Sequence, residues 1–112
     1  MPKVYKVLGQ SNPAATTNTN VYTVPSSTSS VISSISIANL AATAATFRLI
    51  VQKSGETSSI TDKQYIGYDI TVGGSDTTII TVGLTLATGD VVKVYASTAT
   101  VAFQAFGSEI TA

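Results

Sequence analysis

The chain contains no histidine, cysteine or tryptophan among its 112 residues. Without histidine it cannot form a serine–histidine or cysteine–histidine nucleophile pair, and it lacks an imidazole ligand for zinc, copper or haem. Without cysteine it has no disulfide, no thiolate nucleophile and no thiolate ligand for an iron–sulfur cluster. Because these absences remove most catalytic chemistry, we expect a protein that is not an enzyme and that needs no cofactor.

Charge is also scarce. Charged residues make up 11% of the chain, against about 25% in an average soluble domain. Six basic residues balance six acidic ones, and no basic cluster is present, so an interface with nucleic acid is not expected. Polarity comes instead from 18 threonines and 14 serines, which suit the solvent-facing side of β-strands.

Long apolar runs are missing as well. Residues 1–6 hold no apolar stretch of the kind found in secretory signals, and no run of about 20 apolar residues predicts a membrane span. The length of 112 residues fits one domain covering residues 1–112.

Short runs of alternating or β-branched residues, separated by turn residues, dominate the chain and predict β-strands. No segment has a convincing helical period. The predicted fold class is all-β, a small antiparallel β-sandwich or jelly roll of about eight strands. The predicted strands are Lys3–Leu8, Asn20–Val24, Val31–Leu40, Phe47–Gln52, Gln64–Val72, Thr77–Val82, Val91–Ala96 and Thr100–Phe106.

The alternation also predicts which side chains form the core. Two glycine signals interrupt this alternation or end it. Gly67, in the middle of the fifth strand, indicates a bulge or a close approach of another backbone segment. The turn signal Gly73–Asp76 predicts a hairpin that joins the fifth and sixth strands. The side chains expected to be buried are Phe47, Leu49, Val51, Ile66, Tyr68, Ile70, Val92, Val94 and Phe103.

The edges of such a sandwich have few charged or proline residues to protect them from pairing with another chain. Lys3, Lys6 and Pro25 are nearly all the sequence offers, so we expect self-association. Residues 1–20 have the weakest strand pattern, which is typical either of a flexible terminus or of an arm that orders against a partner, and we interpret them as an N-terminal arm that contacts another subunit. Lys3 and Lys6 are therefore candidate partner-binding residues.

Two tyrosines and two turn aspartates are the remaining candidates for function. Tyr65 and Tyr95 lie opposite the apolar faces of their predicted strands, which leaves two interpretations open: a sugar-binding face, or packing against a neighbouring subunit. Asp76 and Asp90 are interpreted as turn-capping residues because no calcium-loop pattern surrounds them. No catalytic or metal-binding residue is predicted.

The order of these segments resembles that of small virion structural proteins of tailed bacteriophages, such as those of cyanobacterial phages. The likeness covers almost the whole chain and consists of strand and turn patterns. The matching segments are Val7–Pro13, Val21–Pro25, the strand that ends in Asn39, Thr46–Val51, Tyr65–Asp69, Gly83–Ser97 and Phe103–Glu109.

This resemblance implies a β-sandwich that assembles on a virus particle, made in the host cytoplasm and located in the virion. The leading hypothesis is a capsid decoration (cement) protein, a homotrimer bound between subunits of the major capsid protein. The alternatives are a tail, baseplate or fibre-associated domain, and a carbohydrate-binding module for host recognition. The expected partners are copies of the chain itself and other virion proteins.

Overall fold

Eight β-strands and one short 3-10 turn make up the regular structure of residues 3–111, the part of the chain that the computed structural model describes. All eight predicted strands are present and the all-β prediction is confirmed, although β6 and β8 run several residues further than predicted. The turn, Asp62–Gln64, precedes β5. The strands are β1 (Lys3–Ser11), β2 (Thr19–Thr23), β3 (Thr28–Asn39), β4 (Ala45–Gln52), β5 (Tyr65–Val72), β6 (Thr77–Leu86), β7 (Val91–Ala96) and β8 (Val101–Thr111).

The strands form two antiparallel sheets of four. The first sheet has the order β1-β8-β3-β6, and the second has the order β2-β7-β4-β5. Strand β1 pairs with β8, β2 with β7, β3 with β6 and β4 with β5. This is the pairing obtained by rolling one long hairpin into two layers, and it defines an eight-stranded jelly roll.

The core lies between the sheets and is centred on two phenylalanines. Phe47 of the second sheet meets Phe103 of the first edge to face, with ring centroids 6.1 Å apart. The predicted core positions Leu49, Val92 and Val94 are also at most 2% exposed, and Val51 packs against them partly buried. The period-2 alternation therefore assigned the buried faces of β4, β7 and β8 correctly.

Strand β5 departs from the predicted alternation. Ile66, Tyr68 and Ile70 were expected in the core, but they are 46%, 57% and 37% exposed. β5 is an edge strand, which leaves Ile70 half-covered, and it carries an extra residue on each side of Gly67 in its pairing with β4. Each extra residue reverses the side to which the following side chains point, and Tyr68 is therefore on the outer face.

The connection Gly73–Asp76 does not close a hairpin, so that prediction was wrong. It carries the chain from β5 in the second sheet to β6 in the first. The Ser75 amide donates to the Ala41 carbonyl at 2.7 Å, and a Cβ on Gly74 would collide with the carbonyl oxygen of Ala42. The turn residues thus predicted that the chain turns at Gly73–Asp76. Contacts with the distant loop at Ala41 and Ala42 determine that the next strand joins the other sheet.

All four edge strands are bulged. One extra residue lies in β1 between Val7 and Gly9 and another in β2 between Asn20 and Tyr22. β6 carries one near Gly83, where φ is +66°, and β5 carries two. Bulges distort an edge and hinder flat pairing with a second chain. The edges are consequently better protected than Lys3, Lys6 and Pro25 alone would make them.

The N-terminal segment is bonded to its own domain. β1 pairs along β8, and Asn12 Nδ2 donates to the carbonyls of Ala99 and Val101 at 3.0 and 2.8 Å. The Thr16 amide donates to the Ala96 carbonyl at 2.8 Å. Of the predicted arm 1–20, residues 1 and 2 lie outside the described residues. Contact of this arm with another subunit stays a prediction.

Phe103→Ala should lower the free energy of unfolding by about 3–5 kcal/mol, the usual loss for a buried aromatic side chain. The physical reason is the cavity it would leave against Phe47, since Phe103 is 1% exposed. Phe106 is a matched control on the outer face of the same strand, and Phe106→Ala should have a much smaller effect. Urea unfolding of both variants measures the difference, and equal losses would contradict the assigned faces of β8.

Candidate functional site

A row of three tyrosines and one arginine crosses the outer face of the second sheet. Arg48 of β4 is directly opposite Tyr95 of β7, and its guanidinium carbon is 4.1 Å from the Tyr95 ring centroid and 4.2 Å from that of Tyr68. Tyr68 meets Tyr65 edge to face, with centroids 4.9 Å apart. We call Tyr95, Arg48, Tyr68 and Tyr65 the tyrosine–arginine row.

An ion pair fixes Arg48 within this row. Its Nε donates to Asp69 Oδ1 at 2.7 Å and its Nη2 to Asp69 Oδ2 at 3.4 Å. The hydrogen bond to Asp69 raises the pKa of Arg48 further above its usual value, so the guanidinium stays charged. Asp69 has a φ of +50°, a left-handed conformation uncommon for a residue other than glycine. The bulge that exposes Tyr68 thus also places the carboxylate against Arg48.

A pair of buried glutamines holds the long β4–β5 connection against the second sheet. Gln52 Nε2 donates to Gln64 Oε1 at 3.1 Å and to the Ser59 carbonyl at 3.1 Å. Gln64 also accepts from the Thr61 amide and donates to the Glu56 carbonyl, both at 3.0 Å. Because Gln52 is 0% and Gln64 6% exposed, these bonds are shielded from water and fix the turn Asp62–Gln64.

The fixed turn and the end of the row enclose a shallow groove. Asp62, Tyr65 and Tyr68 line it, and its volume is about 410 Å³. Asp62 forms no ion pair within residues 3–111. The groove therefore combines aromatic surface with a free carboxylate, a composition typical of small ligand sites.

The structure brings the two predicted tyrosines into one feature. Tyr65 and Tyr95 are linked through Arg48 and Tyr68, which the sequence interpretation did not include. Arg48 could have been found, because it alternates with buried residues on β4. Tyr68 and Asp62 could not have been found from the sequence. A bulge in β5 places Tyr68 on the outer face, and the folding of the β4–β5 connection brings Asp62 beside it.

The predicted lysines lie on the first sheet. Lys6 Nζ is 2.8 Å from Glu109 Oε1, and Glu109 Oε2 accepts from the Tyr22 hydroxyl at 2.6 Å. The Tyr22 oxygen is also 2.5 Å from Ser30 Oγ. This chain of polar groups ties β1, β8 and β3 to β2. Lys3 Nζ lies 5.1 Å from the Tyr5 ring centroid at the edge of the sheet.

The polar chain shifts two pKa values in opposite directions. Hydrogen bonds from Lys6 and then Tyr22 lower the pKa of Glu109. Burial, followed by the bond to Glu109, raises the pKa of Tyr22 to about 12. Glu109 is therefore ionised and Tyr22 neutral over the whole physiological range of pH.

The outer face of the first sheet is almost free of charge. Among the positions of β1, β8, β3 and β6 whose side chains point away from the core, Lys3 is the one charged residue. Near β1 a shallow groove of about 650 Å³ has Tyr5, Val7 and Phe106 in its lining together with Lys3 and Lys6, and Ile79 on β6 is 68% exposed. The remaining outward positions are mainly Ser29, Ser34, Ser36, Ala38, Thr77, Thr81, Thr85, Ala102 and Gln104.

The aspartates of the turns act locally. Asp76 Oδ1 accepts from the Thr77 amide at 2.8 Å, and Asp90 accepts from the amides of Ser54 and Ala87, both at 2.9 Å. Within residues 3–111 no group of acidic residues is arranged to hold a metal ion. In the same span, no helix has the length and apolar character to cross a membrane.

In comparisons with protein-family models, curated proteins and solved structures, nothing matches the chain. The two faces of the sandwich are therefore interpreted from their own geometry.

Glu109→Gln should weaken the fold at neutral pH and make its stability less sensitive to acid. The pKa of Glu109 is lowered in the folded state from 4.5, so its contribution is present above that value and is lost as pH falls through the lower folded pKa. Urea unfolding of both proteins across the acidic range measures this. A constant difference between them at every pH would contradict the role of the ionised carboxylate.

Arg48→Lys should lower the free energy of unfolding by about 1 kcal/mol, because an ammonium cannot stack on Tyr68 and Tyr95 as a planar guanidinium does. The Tyr68 and Tyr95 ring resonances should shift at the same time. Lys63→Ala serves as the control, since it removes an exposed ion pair with Glu56 that contributes little. Equal stabilities for the wild-type protein and the Arg48→Lys variant would exclude a structural role for the row.

Proposed function

We propose that this chain is a structural protein of a tailed-phage virion, a decoration protein that binds as a homotrimer between subunits of the major capsid protein. The observation that carries the proposal is the nearly uncharged outer face of the first sheet. The likeness of the segment order to small phage virion proteins supports it further.

This face suits association between large, permanent partners. Its serine, alanine and threonine side chains are short and let a second backbone approach closely. An uncharged face also does not repel a copy of itself. When such a face forms a contact, few charged groups lose their hydration. The exposed apolar groups Tyr5, Val7 and Ile79 add area whose burial favours binding. The bulged edges direct association to the sheet face rather than to strand addition.

The mechanism is adhesive. Each copy would cover a junction between capsid subunits and add apolar and hydrogen-bonded contacts there, which raises the work needed to separate the subunits under the pressure of the packaged genome. The β-sandwich itself provides a rigid plate, since the packed core between its sheets resists bending.

The number of copies in purified particles tests the proposed location. A number comparable with that of the major capsid protein supports a decoration protein. A few copies per particle would assign the chain to the tail, baseplate or fibre instead, and absence from the particle would overturn the proposal altogether. Quantitative mass spectrometry of the particles makes this measurement.

Ile79→Glu should abolish self-association of the purified protein and its attachment to particles. The reason is that the carboxylate of the new glutamate would have to be buried in the proposed contact. Sedimentation at micromolar concentration and occupancy on particles are the measurements. Ile66→Glu is the matched control, an exposed isoleucine of the second sheet, and should change neither property. Normal assembly by the Ile79→Glu variant would count against the first-sheet face as the contact.

A further inference from the structure

We infer that the groove lined by Asp62, Tyr65 and Tyr68 binds a pyranose ring of a neutral saccharide. The groove lies at the end of the tyrosine–arginine row, on the sheet opposite the proposed assembly face. Its occupant does not depend on the proposed function, because the site is built from the second sheet and its own connection alone.

Tyr65 and Tyr68 form the aromatic part of the groove. Tyr68 is 57% exposed, lines the groove together with Tyr65 and meets that ring at right angles. A pyranose has one face made largely of C–H groups, and such a face packs well on an exposed tyrosine ring. Two rings at right angles also form a corner, which restricts how a flat ligand can lie.

A cationic ligand fits less well, because the Arg48 guanidinium already covers one face of the Tyr68 ring and places a positive charge beside the groove. The Arg48 guanidinium occupies ring faces of Tyr68 and Tyr95 at 4.2 and 4.1 Å. A site for a quaternary ammonium needs several free ring faces that converge on one point. With Arg48 in place, the groove offers stacking surface rather than such a cage.

Asp62 supplies the polar recognition. Its carboxylate can accept hydrogen bonds from two neighbouring sugar hydroxyls, and bonds to a charged acceptor are stronger than neutral ones. The phenol groups of Tyr65 and Tyr68 can both donate and accept. Because Asp62 has no ion-pair partner within residues 3–111, its negative charge should exclude uronic acids. The site is therefore selective for neutral sugars.

The fold holds this groove ready before any ligand arrives. The buried bonds between Gln52 and Gln64 fix the connection that carries Asp62, and the bidentate pair of Arg48 with Asp69 fixes Tyr68. Asp69, with φ of +50°, belongs to the bulge that turns Tyr68 outward.

The test is a titration of the isotope-labelled full chain with neutral cello-, manno- and chito-oligosaccharides, followed by NMR. An oligogalacturonate is the acidic counterpart. We expect at least one neutral series to bind with an affinity in the millimolar range, to shift the resonances of Asp62, Tyr65 and Tyr68, and to leave those of Tyr5 unchanged. The oligogalacturonate should cause no shift.

Three variants and one control assign the binding to the groove. Tyr68→Ala should weaken binding by roughly tenfold or more, whereas Tyr68→Phe should retain most of it because the stacking surface remains. Asp62→Asn should weaken binding of the neutral sugar and reduce the exclusion of the oligogalacturonate. Tyr5→Ala removes a tyrosine of the first sheet that is even more exposed, at 76% against 57% for Tyr68, and should have no effect. Thermal unfolding confirms that each variant is folded.

Four results would overturn the inference. One is the absence of binding by every neutral series at millimolar concentration, and another is equal binding of neutral and acidic oligosaccharides. A third is binding that survives Tyr68→Ala in the folded protein. The fourth is binding of tetramethylammonium at the groove in place of any sugar, which would assign the groove to a cation. None of these results would change the copy number or the effect of Ile79→Glu, so the proposed function is tested separately.

Discussion

The edge-to-face contact of Phe47 with Phe103 joins the two sheets, and the rest of the structure depends on the apolar layer around it. Each sheet buries one face against the other, so the outer faces are free to differ. With few charges and no disulfide to support the fold, this layer and the backbone ladders supply most of the stability. The polar chain from Lys6 to Ser30 closes one region of the sandwich without adding an unpaired buried charge.

The bulges determine which surfaces are available for binding. In a regular strand, Tyr68 would point into the core and the row would lack its central ring. The extra residues in β5 turn it outward, and the ion pair of Asp69 with Arg48 helps to offset the strained conformation that this requires. The same kind of irregularity, repeated in β1, β2 and β6, disfavours strand addition at the edges. Bulges therefore both create one candidate site and restrict where a second copy can attach.

The two outer faces differ in charge and in shape. The first-sheet face is broad, nearly uncharged and built from short side chains. The second-sheet face is partly covered by the β4–β5 connection and offers a small aromatic groove with one carboxylate. A protein attached to a particle through its first sheet would present this groove to the solvent. In this arrangement one chain could contribute both to assembly and to recognition of a surface glycan.

The sequence by itself determined the fold class, the number of strands and most of the core. The reason is that the alternation of apolar and polar residues is a local property of each strand, and it correctly marked Phe47, Val94 and Phe103 as buried. It also marked Tyr65 and Tyr95 as outward. Only the tertiary structure decided the rest. The bulges that expose Tyr68 depend on pairing with β4, and the destination of Gly73–Asp76 depends on docking against Ala41. Asp62 reaches the groove because Gln52 and Gln64 meet across a loop. These are contacts between distant residues, and no local pattern encodes them.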